Sequence, residues 1–252
     1  MFTVAAEAYD RFMGRYAIPL APRFCEFAQI AAEQRVLDVG CGPGALTGEL
    51  VKRLGPAGMS AVEPSEPFVK AARERHPGVD VRQAAAEQLP FPDGDFDASL
   101  AQLVVHFMAA PIEGLSEMAR VTRPGGVVAA CVWDHTAGGE GPLSRFWEAA
   151  RELDPEVEDE AELAGSRRGH LAELLQEAGL EEIEESVLSV SVEHASFDEW
   201  WEPYTFGVGP AGAYLAKLDQ ERQTRLRERC RDAFPEGGLV LTARAWAARG
   251  RA

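Results

Sequence analysis

Val36-Leu37-Asp38-Val39-Gly40-Cys41-Gly42-Pro43-Gly44-Ala45-Leu46-Thr47 is a short apolar run that meets three closely spaced glycines and then helix-forming residues. That order predicts a buried strand, a tight loop and a helix. Glycine has no Cβ, so the backbone of such a loop can turn sharply and lie against a ligand. The helix behind it aims unpaired N–H groups and a partial positive charge at whatever the loop holds. Gly40, Gly42 and Ala45 also satisfy the loose dinucleotide pattern G-x-G-x-x-G/A. Asp38 argues against a dinucleotide, because a carboxylate at the strand end repels a pyrophosphate and attracts a cation.

With Asp38 included, D-V-G-C-G-P-G resembles motif I of class I S-adenosylmethionine-dependent methyltransferases, whose cofactor carries a sulfonium and an ammonium but no phosphate. Further matches follow in the family's order. After a Gly55-Pro56-Ala57-Gly58 turn, the apolar strand Met59 to Val62 ends in Glu63, an acid able to accept bonds from both ribose hydroxyls. Dehydrogenases place an acid at a similar spacing, so Glu63 supports an adenosine ligand without choosing between cofactors. Ala86-Glu87-Gln88-Leu89-Pro90-Phe91 and the later Phe96-Asp97 resemble the family's A-E-x-L-P-F segment and the opening of its fourth strand. Glu117 to Gly126 resembles its helix and R-P-G-G turn before strand five.

The resemblance runs roughly from Tyr9 to Trp133 and is nearest to the broad group that includes ubiquinone/menaquinone biosynthesis methyltransferases. It implies an α/β fold: a doubly wound, Rossmann-like, seven-stranded sheet of order 3-2-1-4-5-7-6. The last strand is antiparallel, and a helical cover is inserted between the last two strands. It implies S-adenosyl-L-methionine as cofactor, held by Tyr9, Asp38, Gly40, Cys41, Gly42, Gly44, Glu63, Pro64, Ala86, Glu87, Gln102 and Leu103. In those roles Tyr9 contacts the methionine end, and the Gln102 carbonyl lies where relatives hold the ammonium. Ala85 departs from the pattern, since many relatives have an Asp there that bonds the adenine amino group. Adenine recognition then rests on backbone groups near Ala86 and Glu87 and on apolar packing.

At 252 residues the chain can build a full core, and helical and strand patterns alternate as in one α/β domain. Its formal net charge of −16 opposes unaided binding to nucleic acid or anionic membrane, both polyanions. The expected partner is a small-molecule acceptor, with no nucleic acid and no membrane insertion; oligomeric state is not readable. Cys25, Cys41, Cys131 and Cys230 are far apart and form no C-x-x-C, so neither a zinc site nor a disulfide framework is read, and no metal is expected. Reduced thiols fit a cytoplasmic location. Met1 to Glu7 lacks the basic start and apolar core of a signal peptide, and no apolar run reaches membrane-spanning length.

The expected organisation is one methyltransferase domain over 1–252. It divides into a helical N-terminal cap (1–32), a cofactor-binding core (33–133), an insertion (134–168), the end of the core (169–195 and 236–250) and a helical cover (196–235). Strands are expected at Val36 to Val39, Met59 to Val62, Val79 to Val81, Asp97 to Gln102 and Val127 to Trp133. Two alternating edge strands follow, at about Ile183 to Val192 and Leu239 to Ala248. Ser65 is read as the N-cap of a helix reaching Arg75. The acidic run Glu156 to Glu162 reads as solvated surface.

Methyl transfer is an in-line displacement in which positioning supplies much of the acceleration. A base is needed only for an acceptor that keeps its proton at neutral pH. His106, after strand four, and His135, beside Asp134 after strand five, fall at the carboxyl end of the sheet, where open α/β folds bind ligands. Either is equally read as a loop histidine bonded to backbone or water. Tyr204 of the cover is the third catalytic candidate. Trp200, Trp201 and Tyr204 suggest a pocket for a planar or apolar acceptor, or simply packing of the cover on the core. Two other functions stay open: a catalytically inactive S-adenosylmethionine-binding protein acting as sensor or assembly partner, and a nicotinamide-dependent oxidoreductase, which Asp38 disfavours.

Overall fold

The structure, a computed structural model, describes residues 6–235 and 238–252. The first five residues, on which the signal-peptide reading partly rests, and residues 236–237, where the end of the core is expected to resume, lie outside it.

The chain begins with α1 (Ala6–Tyr9), a π-helical turn (Asp10–Gly14) and α2 (Arg15–Phe27). β1 (Val36–Val39), α3 (Ala45–Leu54), β2 (Met59–Glu63), α4 (Glu66–Arg75), β3 (Asp80–Gln83) and β4 (Phe96–Gln102) then wind one half of the sheet. α5 (Pro111–Val121) leads to β5 (Thr122–Trp133), followed by α6 (Ser144–Leu153) and α7 (His170–Glu177). β6 (Glu181–His194) and β7 (Leu239–Arg251) close the sheet, with α8 (Phe197–Trp201), α9 (Gly209–Lys217) and α10 (Gln220–Asp232) between them. The sheet has seven strands in the order β3-β2-β1-β4-β5-β7-β6. β1 to β5 are parallel, and β7 runs antiparallel to both β5 and β6.

All four residues of β1 are buried, as a strand between two neighbours and two helical layers requires. Alternation along the strands divides the core: Val36 and Leu100 pack with α2, α3 and the cover, while Leu37, Val39 and Ala101 pack with Leu115 and Met118 of α5 and Leu175 of α7. α3 stops at Gly55, in the left-handed half of backbone space, with Lys52 and Arg53 in its last turn, where cations suit the helix dipole.

Several local expectations need correction. The first helical segment ends at Phe27, not near Ala32, because Gln29 takes φ 56° and turns the chain out of the helix. The Pro124-Gly125-Gly126 turn lies inside β5, where the pairing with β4 shifts register between Phe96 and Ala98. Gly126 is required there, since a Cβ would come within 2.7 Å of the Asp97 carbonyl oxygen. Ser65 stands at the start of α4, but its hydroxyl makes no capping bond. Its backbone N–H donates instead to Glu63 Oε1 at 2.9 Å, turning the residue toward that carboxylate. No helix among the described residues is long and apolar enough to cross a membrane.

Candidate functional site

The glycine loop is anchored from behind. The N–H groups of Gly40 and Cys41 both donate to the Val62 carbonyl of β2, at 2.8 and 3.0 Å, and Gly42 N–H donates to Glu63 Oε2 at 3.0 Å. Gly40, Gly42 and Gly44 all have positive φ, at 70°, 54° and 103°. Their surroundings differ. A Cβ on Gly40 would strike Val104 Cγ1 at 2.5 Å and one on Gly44 would strike His76 Nε2 at 2.6 Å, whereas one on Gly42 would enter open space. A side chain at position 42 would thus enter unfilled space, whereas Gly44 is backed by the His76 ring, which lies against its carbonyl.

That open space is a cavity of about 290 Å³ at the carboxyl ends of β1, β2 and β4. Of the expected cofactor residues, Tyr9, Asp38, Gly40, Cys41, Gly42, Glu63, Pro64, Ala86, Glu87, Gln102 and Leu103 line it, and Gly44 does not. Ala85 is also on the wall, leaving position 85 without a side-chain acceptor for an adenine amino group. Three carboxylates, Asp38, Glu63 and Glu87, border the cavity, and no lysine, arginine or histidine does among the described residues.

The two deepest acids are under strain from burial. Asp38 is 1% exposed and accepts a bond from Thr47 Oγ1 at 2.7 Å. Loss of water pushes its carboxyl up to about 7; the Thr47 bond opposes this and the Glu63 charge adds to it. Burial likewise raises Glu63, against the pull of the Ser65 and Gly42 N–H groups. Gln102 adds a feature that sequence reasoning does not supply: its amide nitrogen donates to the Ala17 carbonyl at 3.0 Å, leaving Oε1 buried without a partner. The next residue, Leu103, adopts φ 63°, a conformation that favours glycine and concentrates at functional sites.

A second cavity, of about 40 Å³, shares Tyr9, Leu103 and Phe107 with the first. The π-helical turn brings Phe12 and Met13 to it, and Val208 to Ala211 reach it from the cover. His106 and His135 meet on its wall with ring centres 5.7 Å apart. Burial holds His106 well below its usual value, helped by His135, and holds His135 down to about 4. His106 Nδ1 and His135 Nε2 are buried and bond to nothing.

Glu160 completes the group. Its donor atom and those of the two imidazoles lie within 4.8 Å of one another. The acidic run is thus not uniformly solvated, because Glu160 is 2% exposed while Glu156, Glu158 and Glu162 face water. Trp147 Nε1 donates to Glu160 Oε2 at 2.9 Å, and burial pushes the carboxyl up to about 7 despite that bond. Asp134 does not join His135. Its carboxylate accepts bonds from Thr136 and from the Glu140 N–H, fixing the loop after β5.

Trp200, Trp201 and Tyr204 line neither cavity. Tyr204 stacks on Phe146 at 4.6 Å, meets Phe12 edge-on at 4.9 Å and packs on Trp200 at 5.0 Å. Their place is the seam between cover and core, one layer behind Phe12. Such rings serve packing well, since each buries a large apolar area with few rotors to freeze.

Residues 37–130, which hold β1 to β4 and most of β5, match the family model described as a methyltransferase domain. The chain is 40% identical over 98 residues to a Mycobacterium ulcerans protein named probable phthiotriol/phenolphthiotriol dimycocerosates methyltransferase 2; the match covers 38% of each chain. It is 35% identical over 116 residues to a fatty-acid O-methyltransferase of Mycolicibacterium smegmatis, covering 45% of this chain and 42% of that one. Matches to these curated relatives span less than half of their length. The YcgJ protein of Bacillus subtilis has the same fold, with a TM-score of 0.58 at 20% identity, covering 92% of this chain and 97% of that one.

Proposed function

We propose that this chain, whose residues 37–130 match a methyltransferase-domain model, is a class I S-adenosylmethionine-dependent methyltransferase that methylates a small, apolar or aromatic acceptor whose reactive atom enters the smaller cavity. The observation that carries this reading is the charge of the larger cavity, with three carboxylates and no basic side chain among its described residues. A cationic adenosyl ligand offsets that charge, whereas a pyrophosphate would be repelled by it. The orphaned Gln102 Oε1 and the open side of Gly42 fit the same ligand, one by accepting from an ammonium and the other by admitting close approach.

S-adenosylmethionine supplies, when bound, an electrophilic methyl group on a sulfonium. In this reading Asp38 orders the cationic methionine end. Glu63, already fixed by two backbone N–H groups, offers its remaining lone pairs to the ribose hydroxyls. Ala86 and Glu87 border the adenine end, and Tyr9 and Leu103 stand between the cavities. Phe12, Met13, Trp133 and Leu143 give the smaller cavity apolar walls that exclude water, and its polar groups converge at His106, His135 and Glu160. The two imidazoles, kept neutral by burial, are the atoms able to accept a bond from an acceptor hydroxyl.

One named relative is a fatty-acid O-methyltransferase and another a probable phthiotriol/phenolphthiotriol dimycocerosates methyltransferase. Oxygen acceptors on an apolar body suit the same combination of walls and polar end here. Calorimetric titration with S-adenosylmethionine and S-adenosylhomocysteine tests the cofactor assignment: micromolar binding is expected, and no heat at high micromolar ligand overturns it. Transfer of labelled methyl to phenols, hydroxy lipids or fatty acids tests the acceptor class.

A further inference from the structure

We infer that His106, His135 and Glu160 form a binding site for one divalent transition-metal ion at the inner end of the smaller cavity. Three separate elements deliver these residues: the 3-10 turn after β4, the loop after β5, and the insertion between α6 and α7. All three are buried, and their donor atoms lie within 4.8 Å of one another. Two imidazoles and one carboxylate are a donor set that first-row transition ions accept.

The hydrogen-bond inventory gives the independent argument. His106 Nδ1 and His135 Nε2 are sealed from solvent yet have no partner, a costly state for a polar atom. The carboxylate beside them does not satisfy either one. Glu160 is bonded by Trp147 Nε1 through Oε2, which leaves Oε1 for another ligand and fixes the group's orientation, as outer partners of metal-bound carboxylates do. No lysine or arginine lines the cavity among the described residues to balance the Glu160 charge. A dication held by one nitrogen of each imidazole and by the carboxylate would offset the buried Glu160 charge. Tetrahedral coordination at about 2.0–2.2 Å puts donors about 3.3–3.6 Å apart, so the donors must close from spacings of up to 4.8 Å on binding.

Three protein ligands leave one position of a tetrahedron open, the arrangement of reactive rather than structural ions. All three residues line the cavity that Tyr9, Leu103 and Phe107 also line, so a fourth ligand would come from that cavity. The acceptor's oxygen would complete the coordination as its anion, having lost its proton to bulk water on entry, and the ion would replace the imidazole bond that the metal-free cavity offers. That last role rests on the methyltransferase reading; the metal site itself does not.

The test uses tag-free, full-length protein stripped with chelator, titrated with Zn²⁺ and, for a spectroscopic signature, with Co²⁺. One equivalent per chain is expected, with visible absorption typical of low-coordinate Co²⁺. Glu160→Gln and His106→Gln should each weaken binding at least 100-fold. Melting curves for each variant show whether it folds. If Glu160→Gln fails to fold, His106→Gln and the stoichiometry of the unaltered protein decide. S-adenosylhomocysteine affinity, measured on the same samples, should stay within about threefold, so loss of one site is distinguishable from loss of the other. Absence of stoichiometric binding at micromolar free ion, or binding that both folded variants retain, overturns the site.

Discussion

Replacing Asp38 by asparagine separates what its charge does to the fold from what it does for a ligand. Burial raises this carboxyl from 3.8 to about 7, the Thr47 bond opposes the shift, and Glu63 adds to it. A carboxyl held above its unfolded value binds its proton more tightly in the folded state. Its contribution to stability is therefore intact below pH 4, declines as pH rises, and reaches its full penalty above pH 7. At 1.36 kcal/mol per pH unit, that penalty is about 4 kcal/mol, an upper bound because Asp38 and Glu63 share the repulsion. Asparagine keeps an acceptor for Thr47 and carries no charge. Ligand-free Asp38→Asn protein should match the parent at pH 4 and exceed it by up to about 4 kcal/mol at pH 8, read by chemical denaturation. Ligand binding runs the opposite way, since a cation selects the ionised carboxyl. The ionised fraction climbs from about one-tenth at pH 6 to about nine-tenths at pH 8, so parental affinity for S-adenosylhomocysteine should rise about tenfold relative to the variant. The ligand's own ammonium titrates identically in both titrations and drops out of that ratio. A parent-to-variant affinity ratio that is flat with pH, beside a variant no more stable at pH 8, would refute the assignment of Asp38 as the cation's counter-charge.

Glu63→Ala should weaken cofactor binding at least tenfold in the same calorimeter; an unchanged affinity would mean that the ribose is held elsewhere. Gly42→Ala should lower that affinity by a similar factor while costing the fold only about 1–2 kcal/mol for the positive φ, because the added carbon meets open space. A variant binding as tightly as the parent would show that the cofactor does not lie against Gly42. Tyr204→Ala should cost about 3–5 kcal/mol of stability through the lost stack on Phe146, with cofactor affinity unchanged at a temperature where it is folded. Tyr204→Phe should keep full turnover, and a folded Phe variant without activity would return the hydroxyl to the catalytic apparatus.

Much of the sheet is legible because its signals are local. The apolar run at 36–39, the glycines after it and the alternation at 183–192 and 239–248 each fix an element without reference to the rest of the chain. Asp38 and Glu63 are legible for a related reason, since strand ends in this fold open onto the ligand side. Glu160 is hidden among acids that do face water, and only the distant indole of Trp147 and the two imidazoles distinguish it. Asp134 misleads by adjacency: its carboxylate bonds Thr136 and the Glu140 N–H, and so serves the loop instead of His135. For Trp200, Trp201 and Tyr204 composition shows an aromatic cluster. Which side of it faces a cavity depends on Phe12 and Phe146, far away in sequence.

The π-helical turn at Asp10–Gly14 follows directly on Tyr9, which lines both cavities, so residues 9–13 are a wall that the two share or adjoin. It is tied down by charge: Asp10 to Arg75 of α4, Arg11 to Glu202, and Arg15 to Glu199 of the cover, at 2.5 to 2.7 Å. All three pairs are partly open to water, where each contributes at most about 1 kcal/mol and yields to added salt. Added salt should therefore loosen the hold on Tyr9 through residues that line neither cavity themselves.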